Sequence, residues 1–147
     1  MRVAFDVHGV LDSLDYFRKL LRVHYLAGDE VFIVSGQKFD EDVEAGLAKH
    51  NLTYHRYVSI VEWLEQTGVP IEWTDGLPNT PEEAWDVAKA QICARYKVDI
   101  LFDDSPVYGE HFGPDHPTLY VHVLNPTRKK YVVRQEDLRH GESVPIS

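Results

Sequence analysis

The chain has 147 residues, 44% hydrophobic and 27% charged, as in an ordinary globular protein. This length predicts one domain, residues 1–147, with a sizeable core. A formal charge of −9 argues against stable binding to nucleic acid and slows the approach of polyanions. One cysteine, no signal-peptide pattern and no apolar run of about 20 residues predict a cytoplasmic protein without a disulfide framework or membrane span. The oligomeric state is not encoded in any visible pattern.

Short apolar runs alternate with amphipathic stretches, which is typical of an α/β domain with a mostly parallel sheet flanked by helices. Continuous β-rich runs predict strands at residues 2–5, 31–34, 70–73, 99–102 and 119–123. Helical spacing predicts helices at residues 14–25, 40–50, 59–66 and 81–96. Gly28 and Gly68 follow two of these helices as stop signals. The tail from residue 128 onward has no clear pattern.

The clearest local signal is the run Thr80-Pro81-Glu82-Glu83. It predicts Thr80 as a helix N-cap, Pro81 as the first helical residue and Glu83 in the position that completes a capping box. The helix that starts there is expected to reach about residue 96.

Three of the predicted strands end in residues with hydroxyl or carboxylate groups: Asp6, Ser35 and the pair Asp103-Asp104. Ligands of open parallel sheets bind beyond the carboxyl ends of the strands. Three carboxylates crowded there would raise one another's pKa, and a hard cation such as Mg²⁺ would relieve the repulsion. The alternative is that these aspartates only cap the following helices.

Four segments carry a resemblance to a known family. In chain order they are FDVHGVLDS, VFIVSG, AWDVAKAQICARYK with its lysine, and DILFDDSP. They are similar, in order, to the four motifs of the haloacid-dehalogenase-like (HAD) hydrolases, and they span residues 1 to about 108. The resemblance implies a Rossmann-like fold, bound Mg²⁺ and phosphoryl transfer through an aspartyl-phosphate.

The resemblance implies a role for each matching residue. Asp6 matches the nucleophile, and Lys89 matches the lysine that orients it and neutralises phosphate charge. Ser35, with Gly36 beside it, matches the segment that holds a phosphate oxygen, and the backbone near Gly9 would supply amides. The resemblance implies metal ligands at Asp6, Asp103, Asp104 and the main-chain carbonyl of His8.

Two of these assignments have a competing interpretation. Lys97 is a rival for the motif lysine, because it lies just before the strand predicted at residues 99–102, and Lys89 alone would read as a solvated helix residue. Ser35 followed by Gly36 is also an ordinary turn sequence after a strand.

His8 departs from the family pattern, since HAD phosphatases commonly have a second aspartate two residues after the nucleophile. That aspartate protonates the leaving group and then activates water. Imidazole gives and takes a proton near neutral pH, so His8 could do the same work. Two other interpretations stay open: a positional residue that contributes only its carbonyl, or the sign of a weakened or inactive enzyme.

Other acidic or histidine-rich classes fit less well. Asp6-Val7-His8 resembles the start of dinuclear metallophosphoesterases, but no Gly-Asn-His follows anywhere in the chain. A response-regulator receiver would carry its acidic pair after the first strand. The eight histidines include no ligand spacing with cysteines that would indicate zinc, so we expect surface or loop positions. The three tryptophans are expected in the core or in pocket walls.

The interval between the first two motifs holds one helix and leaves no room for a large cap domain, although a small insert near residues 51–80 is possible. The favoured function is a Mg²⁺-dependent phosphomonoesterase acting on a phosphorylated small molecule or nucleotide. The alternative is a catalytically weakened or inactive HAD-like binding or regulatory module. A dehalogenase or phosphonatase is disfavoured, because such enzymes enclose small substrates under a cap.

Overall fold

A computed structural model describes residues 1–126. The strands are β1 Arg2–Phe5, β2 Glu30–Ser35, β3 Arg56–Ser59, β4 Glu72–Thr74, β5 Leu77–Asn79, β6 Ile100–Asp103 and β7 Leu119–His122. The helices are α1 Asp15–Leu26, α2 Glu41–Lys49, α3 Ile60–Gln66, α4 Glu82–Arg95 and α5 Pro106–Gly109. A wide turn, Val7–Leu11, with non-helical backbone angles at His8 and Gly9, joins β1 to the segment before α1. The tail from residue 128 onward, for which the sequence predicts no element, lies outside the described residues.

Five strands form one parallel sheet in the order β3-β2-β1-β6-β7. Helices cover both faces, and no cap domain interrupts the described chain, so the predicted Rossmann-like α/β class is confirmed. Because every strand runs the same way, all five carboxyl ends meet at one edge. Within residues 1–126 no helix is long and apolar enough to cross a membrane.

Two hydrophobic layers pack on the sheet because side chains alternate between its faces. On β1, Val3 and Phe5 pack with Leu21 of α1 on one face. Ala4 points to the other face, where it meets Ile92 of α4. These core residues are inaccessible to solvent, and at roughly 1.5–3 kcal/mol for each large apolar side chain they hold the strand ends in fixed register.

Two local expectations differ from the structure. The short strand predicted at residues 70–73 lies at residues 72–74, where β4 pairs with β5 in a separate antiparallel hairpin whose tip, Asp75-Gly76, has positive φ at both residues. Such an Asp-Gly tip suits a tight hairpin turn, and the two short strands are mostly exposed and stay outside the core. Trp73 on this hairpin is 51% exposed, contrary to the expected burial. Strand β3, by contrast, was not predicted, because a four-residue strand starting with an exposed arginine leaves a weak pattern.

The N-terminus of α4 also differs. Pro81, not Thr80, occupies the N-cap position, since its ψ of 128° is extended and its carbonyl accepts from the Trp85 amide. The Thr80 hydroxyl donates to the Pro81 carbonyl at 3.4 Å and does not cap the helix, so the predicted capping box does not form. The helix therefore begins one residue later than expected.

Candidate active site at the carboxyl edge of the sheet

Four adjacent strands bring polar side chains to one edge. Ser59 and Ser35 lie at the ends of β3 and β2 and are paired in register. Asp6 follows β1, its amide bonded to the Phe102 carbonyl of β6, and Asp103 ends β6. The strand order, more than the sequence spacing, makes these residues neighbours.

Asp6, Asp103 and Asp104 form a buried acidic cluster. Each offers a carboxylate oxygen, and these oxygens lie within 4.8 Å of one another. The three residues are 6%, 0% and 6% exposed. Carboxylate oxygens are the donors that Mg²⁺ and Ca²⁺ prefer, and each oxygen has more than one lone pair, so existing hydrogen bonds leave room for a metal. The donor set therefore fits a divalent cation.

Lys89 reaches this cluster from the middle of α4. Its Nζ lies 2.9 Å from Asp6 Oδ1 and 2.5 Å from Asp103 Oδ2, and the residue is 1% exposed. Lys97, the rival from the sequence, is exposed in the turn after α4 with a φ of 54°. The structure thus brings Lys89 to the acidic cluster and leaves Lys97 outside it.

Burial and neighbouring charges shift the pKa values of Asp6 and Lys89. Burial raises the pKa of Asp6 well above its ordinary value, the Asp103 charge adds to that effect, and Lys89 opposes it. Burial lowers the pKa of Lys89, but the charges of Asp103 and Asp6 outweigh burial, so the net shift is upward. One ammonium shared by two buried carboxylates leaves negative charge that a divalent cation would offset.

The Val7–Leu11 turn holds His8 at the rim. Its side chain is 58% exposed, with Nε2 3.3 Å from Gln37 Oε1 and Nδ1 3.6 Å from Asp12 Oδ2. The next residue, Gly9, has a φ of 87°, a left-handed conformation in which glycine is the least strained residue. The Gly9 amide donates to Asp12 Oδ1 at 2.9 Å. To bind phosphate as predicted, the Gly9 amide would have to exchange its hydrogen bond to Asp12 for one to a phosphate oxygen.

The Ser35-Gly36 segment is closely packed. The buried Ser35 hydroxyl accepts from the Gln37 amide at 3.3 Å. A Cβ at Gly36 would lie 3.0 Å from the Trp85 ring, so any larger residue would force Trp85 to move. This close approach explains why glycine suits position 36 irrespective of a ligand.

Sequence reasoning missed several residues that surround the site. The Tyr108 ring centroid lies 5.0 Å from Lys89 Nζ, and Trp85 Nε1 donates to the Tyr108 hydroxyl at 2.9 Å. Asn125 Nδ2 donates to the Gly9 carbonyl at 2.8 Å and to Ser13 Oγ at 2.9 Å. Trp85 is a pocket-wall residue as expected, whereas Asn125 gave no signal because its partners are more than 100 positions away.

Comparisons with known proteins support the fold. No protein-family model matches the chain, and no curated protein matches its sequence. One similar solved chain belongs to the "Structure of the Pnkp1/Rnl/Hen1 RNA repair complex", with a TM-score of 0.59 and 16% identity over 83% of this chain. The match spans 42% of that longer chain.

At 16% sequence identity, the similarity between this chain and that solved chain is a similarity of fold alone. The chain is a Rossmann-like parallel α/β protein that resembles part of a multi-protein RNA repair complex. A buried acidic cluster that could hold a metal ion lies at the carboxyl edge of its sheet.

Proposed function

We propose that this protein is a Mg²⁺-dependent phosphomonoesterase of the HAD type that works through an aspartyl-phosphate. The observation that carries the proposal is the position of Lys89, whose buried ammonium bridges Asp6 and Asp103 beside Asp104. A lysine among three carboxylates at the carboxyl edge matches the charge needs of phosphoryl transfer, which depends on positioning and neutralisation.

Asp6 is the proposed nucleophile. One of its carboxylate oxygens forms a bond to phosphorus while the bond from phosphorus to the ester oxygen breaks, and the departing oxygen takes a proton from His8. Water then attacks phosphorus, gives a proton back to His8 and releases inorganic phosphate, which regenerates the Asp6 carboxylate. Protons and electrons balance over the two steps.

The remaining residues bind and orient the phosphate. Lys89 holds the Asp6 carboxylate in position, and Ser35 with the Gly36 backbone contacts the phosphate oxygens. Asp6, Asp103, Asp104 and the His8 carbonyl would hold Mg²⁺, which supplies charge neutralisation when bound. The formal charge of −9 favours a small phosphorylated molecule or nucleotide over RNA as substrate.

One observation favours a second candidate, a non-catalytic or weakened binding module. The exposed His8 ring lies within reach of Asp12 and Gln37 at the rim of the site. These contacts also suit a His8 that contributes only its backbone carbonyl and transfers no proton. Acid–base catalysis by His8 is therefore the element of the mechanism that most needs a direct test.

The test is phosphate release from p-nitrophenyl phosphate and a nucleotide panel, with Mg²⁺ and with EDTA. We expect Mg²⁺-dependent turnover that Asp6→Asn abolishes, since an amide is a poor nucleophile. The exposed Asp115→Asn variant removes the same charge away from the site and should keep full activity. Absence of turnover in the wild-type protein, with Mg²⁺ still bound, would favour the binding module.

A further inference from the structure

A cleft of about 220 Å³ opens between the Val7–Leu11 turn and α2, and Ser35 at the end of β2 is one of its lining residues. Its wall is mainly apolar and is formed by Val7, Leu11, Val43, Leu47, Leu52 and Tyr57. A cavity of about 150 Å³ lined by aliphatic groups is large enough for benzene, so this cleft has room for one aromatic ring and little more.

The cleft is continuous with the proposed phosphate site. Ser35 and His8 line it, so one end meets the residues proposed to hold phosphate and to protonate the leaving group. The Tyr57 hydroxyl donates to the Gln37 carbonyl at 2.6 Å, which fixes the aromatic wall at this end. A group in the cleft would therefore be attached to the phosphate through the ester oxygen.

Gly46 keeps the cleft open. It lies in the middle of α2, where glycine is the poorest helix former after proline, and a Cβ built there meets no atom within 4 Å. Packing therefore does not require glycine. Because Asp42, Val43 and His50 lie on the same helix face and also line the cleft, a side chain at 46 would project over it.

The charged lining groups select against a second anion. Asp12 and Asp42 are the carboxylates of the lining, and His8 and His50 are its titratable bases; among residues 1–126, no lysine or arginine lines the cleft. A leaving group with its own carboxylate or phosphate would face two acidic side chains, whereas an uncharged or cationic one would not.

Building on the proposed function, we propose that this cleft binds the leaving group and that the substrates are phosphate monoesters of single-ring aromatic alcohols that are uncharged or cationic. Gly46 is then a specificity-determining residue and Asp42 a charge filter. Burial of the aromatic ring in the cleft strengthens the binding of these esters, whereas esters of small aliphatic alcohols have no ring to bury.

The test compares benzyl phosphate with ethyl phosphate, two alkyl esters of similar chemistry. We expect the wild-type protein to prefer the benzyl ester by at least about tenfold in kcat/KM, the discrimination an apolar pocket provides. Gly46→Leu should reduce this ratio at least about fivefold, mainly through a higher KM for the benzyl ester. Ala45→Leu, at the exposed neighbouring position outside the cleft, should keep the wild-type ratio.

The proposed charge selection by Asp42 is tested with two variants that remove the same charge, Asp42→Asn and Glu44→Gln. Asp42→Asn should narrow the preference for 4-(aminomethyl)benzyl over 4-carboxybenzyl phosphate, because it removes one of the two carboxylate charges that line the cleft. Glu44→Gln removes an equal charge from the same helix outside the cleft and should leave that preference unchanged. Equal effects of the two variants would mean that net charge alone controls the preference, which overturns the filter.

Binding measured without turnover separates the two proposals. Benzyl alcohol titrated into the wild-type protein should shift the amide NMR signals of residues 43–47, and the shifts should disappear in Gly46→Leu. If these shifts occur without hydrolysis of any ester, the cleft is retained and the phosphatase is rejected. If esters are hydrolysed with the same ratio in wild type, Gly46→Leu and Ala45→Leu, the cleft inference is overturned. Should Gly46→Leu fail to fold, Gly46→Ala, a better helix former, must give a smaller change in the same direction.

Discussion

Lys89 Nζ donates a hydrogen bond to Asp6 Oδ1 at 2.9 Å, although the two residues are 83 positions apart. The contact joins the middle of α4 to the end of β1 beneath the rim of the candidate site. Both groups are buried, so the pair is costly to desolvate and costly to break. Its presence at the acidic edge is more readily explained by chemistry than by a need for stability.

Removal of the buried ammonium should destabilise the metal-free protein. Lys89→Met leaves the Asp6 and Asp103 carboxylates buried without their cation, and we expect the free energy of unfolding to fall by about 3 kcal/mol in EDTA. Lys97→Met, an exposed position of equal charge and size, should change it by less than about 0.5 kcal/mol. Urea denaturation of both variants measures the difference, and equal losses would contradict the assigned role of the buried pair.

Mg²⁺ should stabilise the folded state. A ligand that binds only the native protein adds about 2.7 kcal/mol at a concentration 100 times its Kd. We expect the melting temperature to rise with Mg²⁺ concentration, and Asp104→Asn to require several times more Mg²⁺ for the same rise. Asp115→Asn is the control of equal charge change. If the melting temperature does not change with Mg²⁺ concentration, the metal site is ruled out.

The proposed acid–base role of His8 can be tested with esters whose leaving groups differ in their need for a proton. His8→Ala should slow hydrolysis of alkyl phosphates by roughly 10²–10⁴, the usual contribution of general acid–base catalysis. The loss should be smaller for p-nitrophenyl phosphate, because nitrophenolate departs without a proton. His8→Asp should keep or increase turnover by restoring the carboxylic acid common in the resembled family. Equal rates for His8→Ala and wild type on both ester classes would leave only the backbone carbonyl of His8 with a role.

Cys93 reports on global unfolding. Burial raises the pKa of its thiol to about 12, while the unfolded thiol ionises near pH 9. The thiol thus favours folding below about pH 9, and this contribution is lost as the pH rises toward 12, because the unfolded state releases its proton first. Iodoacetamide labelling at pH 8.5 should be slow in buffer and fast in urea. In Cys93→Ala the additional decline in stability above pH 9 should be absent. Rapid labelling of the folded protein would contradict the burial.

Much of the fold could be predicted because its signals are local. The buried strands β1 and β2 are continuous apolar runs, and α1 repeats its apolar residues at helical spacing. The short strand expected at residues 70–73 begins two residues later, and β5 has no counterpart in the prediction, because three-residue strands carry almost no periodicity; β3 has no counterpart for a similar reason. The start of α4 was missed by one residue, since Thr80 and Pro81 both suit a helix terminus and only the backbone angles distinguish them.

The sequence by itself determined that Asp6, Ser35 and Asp103 follow apolar strands, because strand endings are written in local hydrophobic patterning. Only the tertiary structure decided that these ends are neighbours, that Lys89 and not Lys97 reaches them, and that Gly46 leaves a cleft open. Those relationships depend on strand order and on the direction in which each helix side chain points. Both are set by packing between segments 28 to 116 residues apart, for which a single sequence carries no distance information.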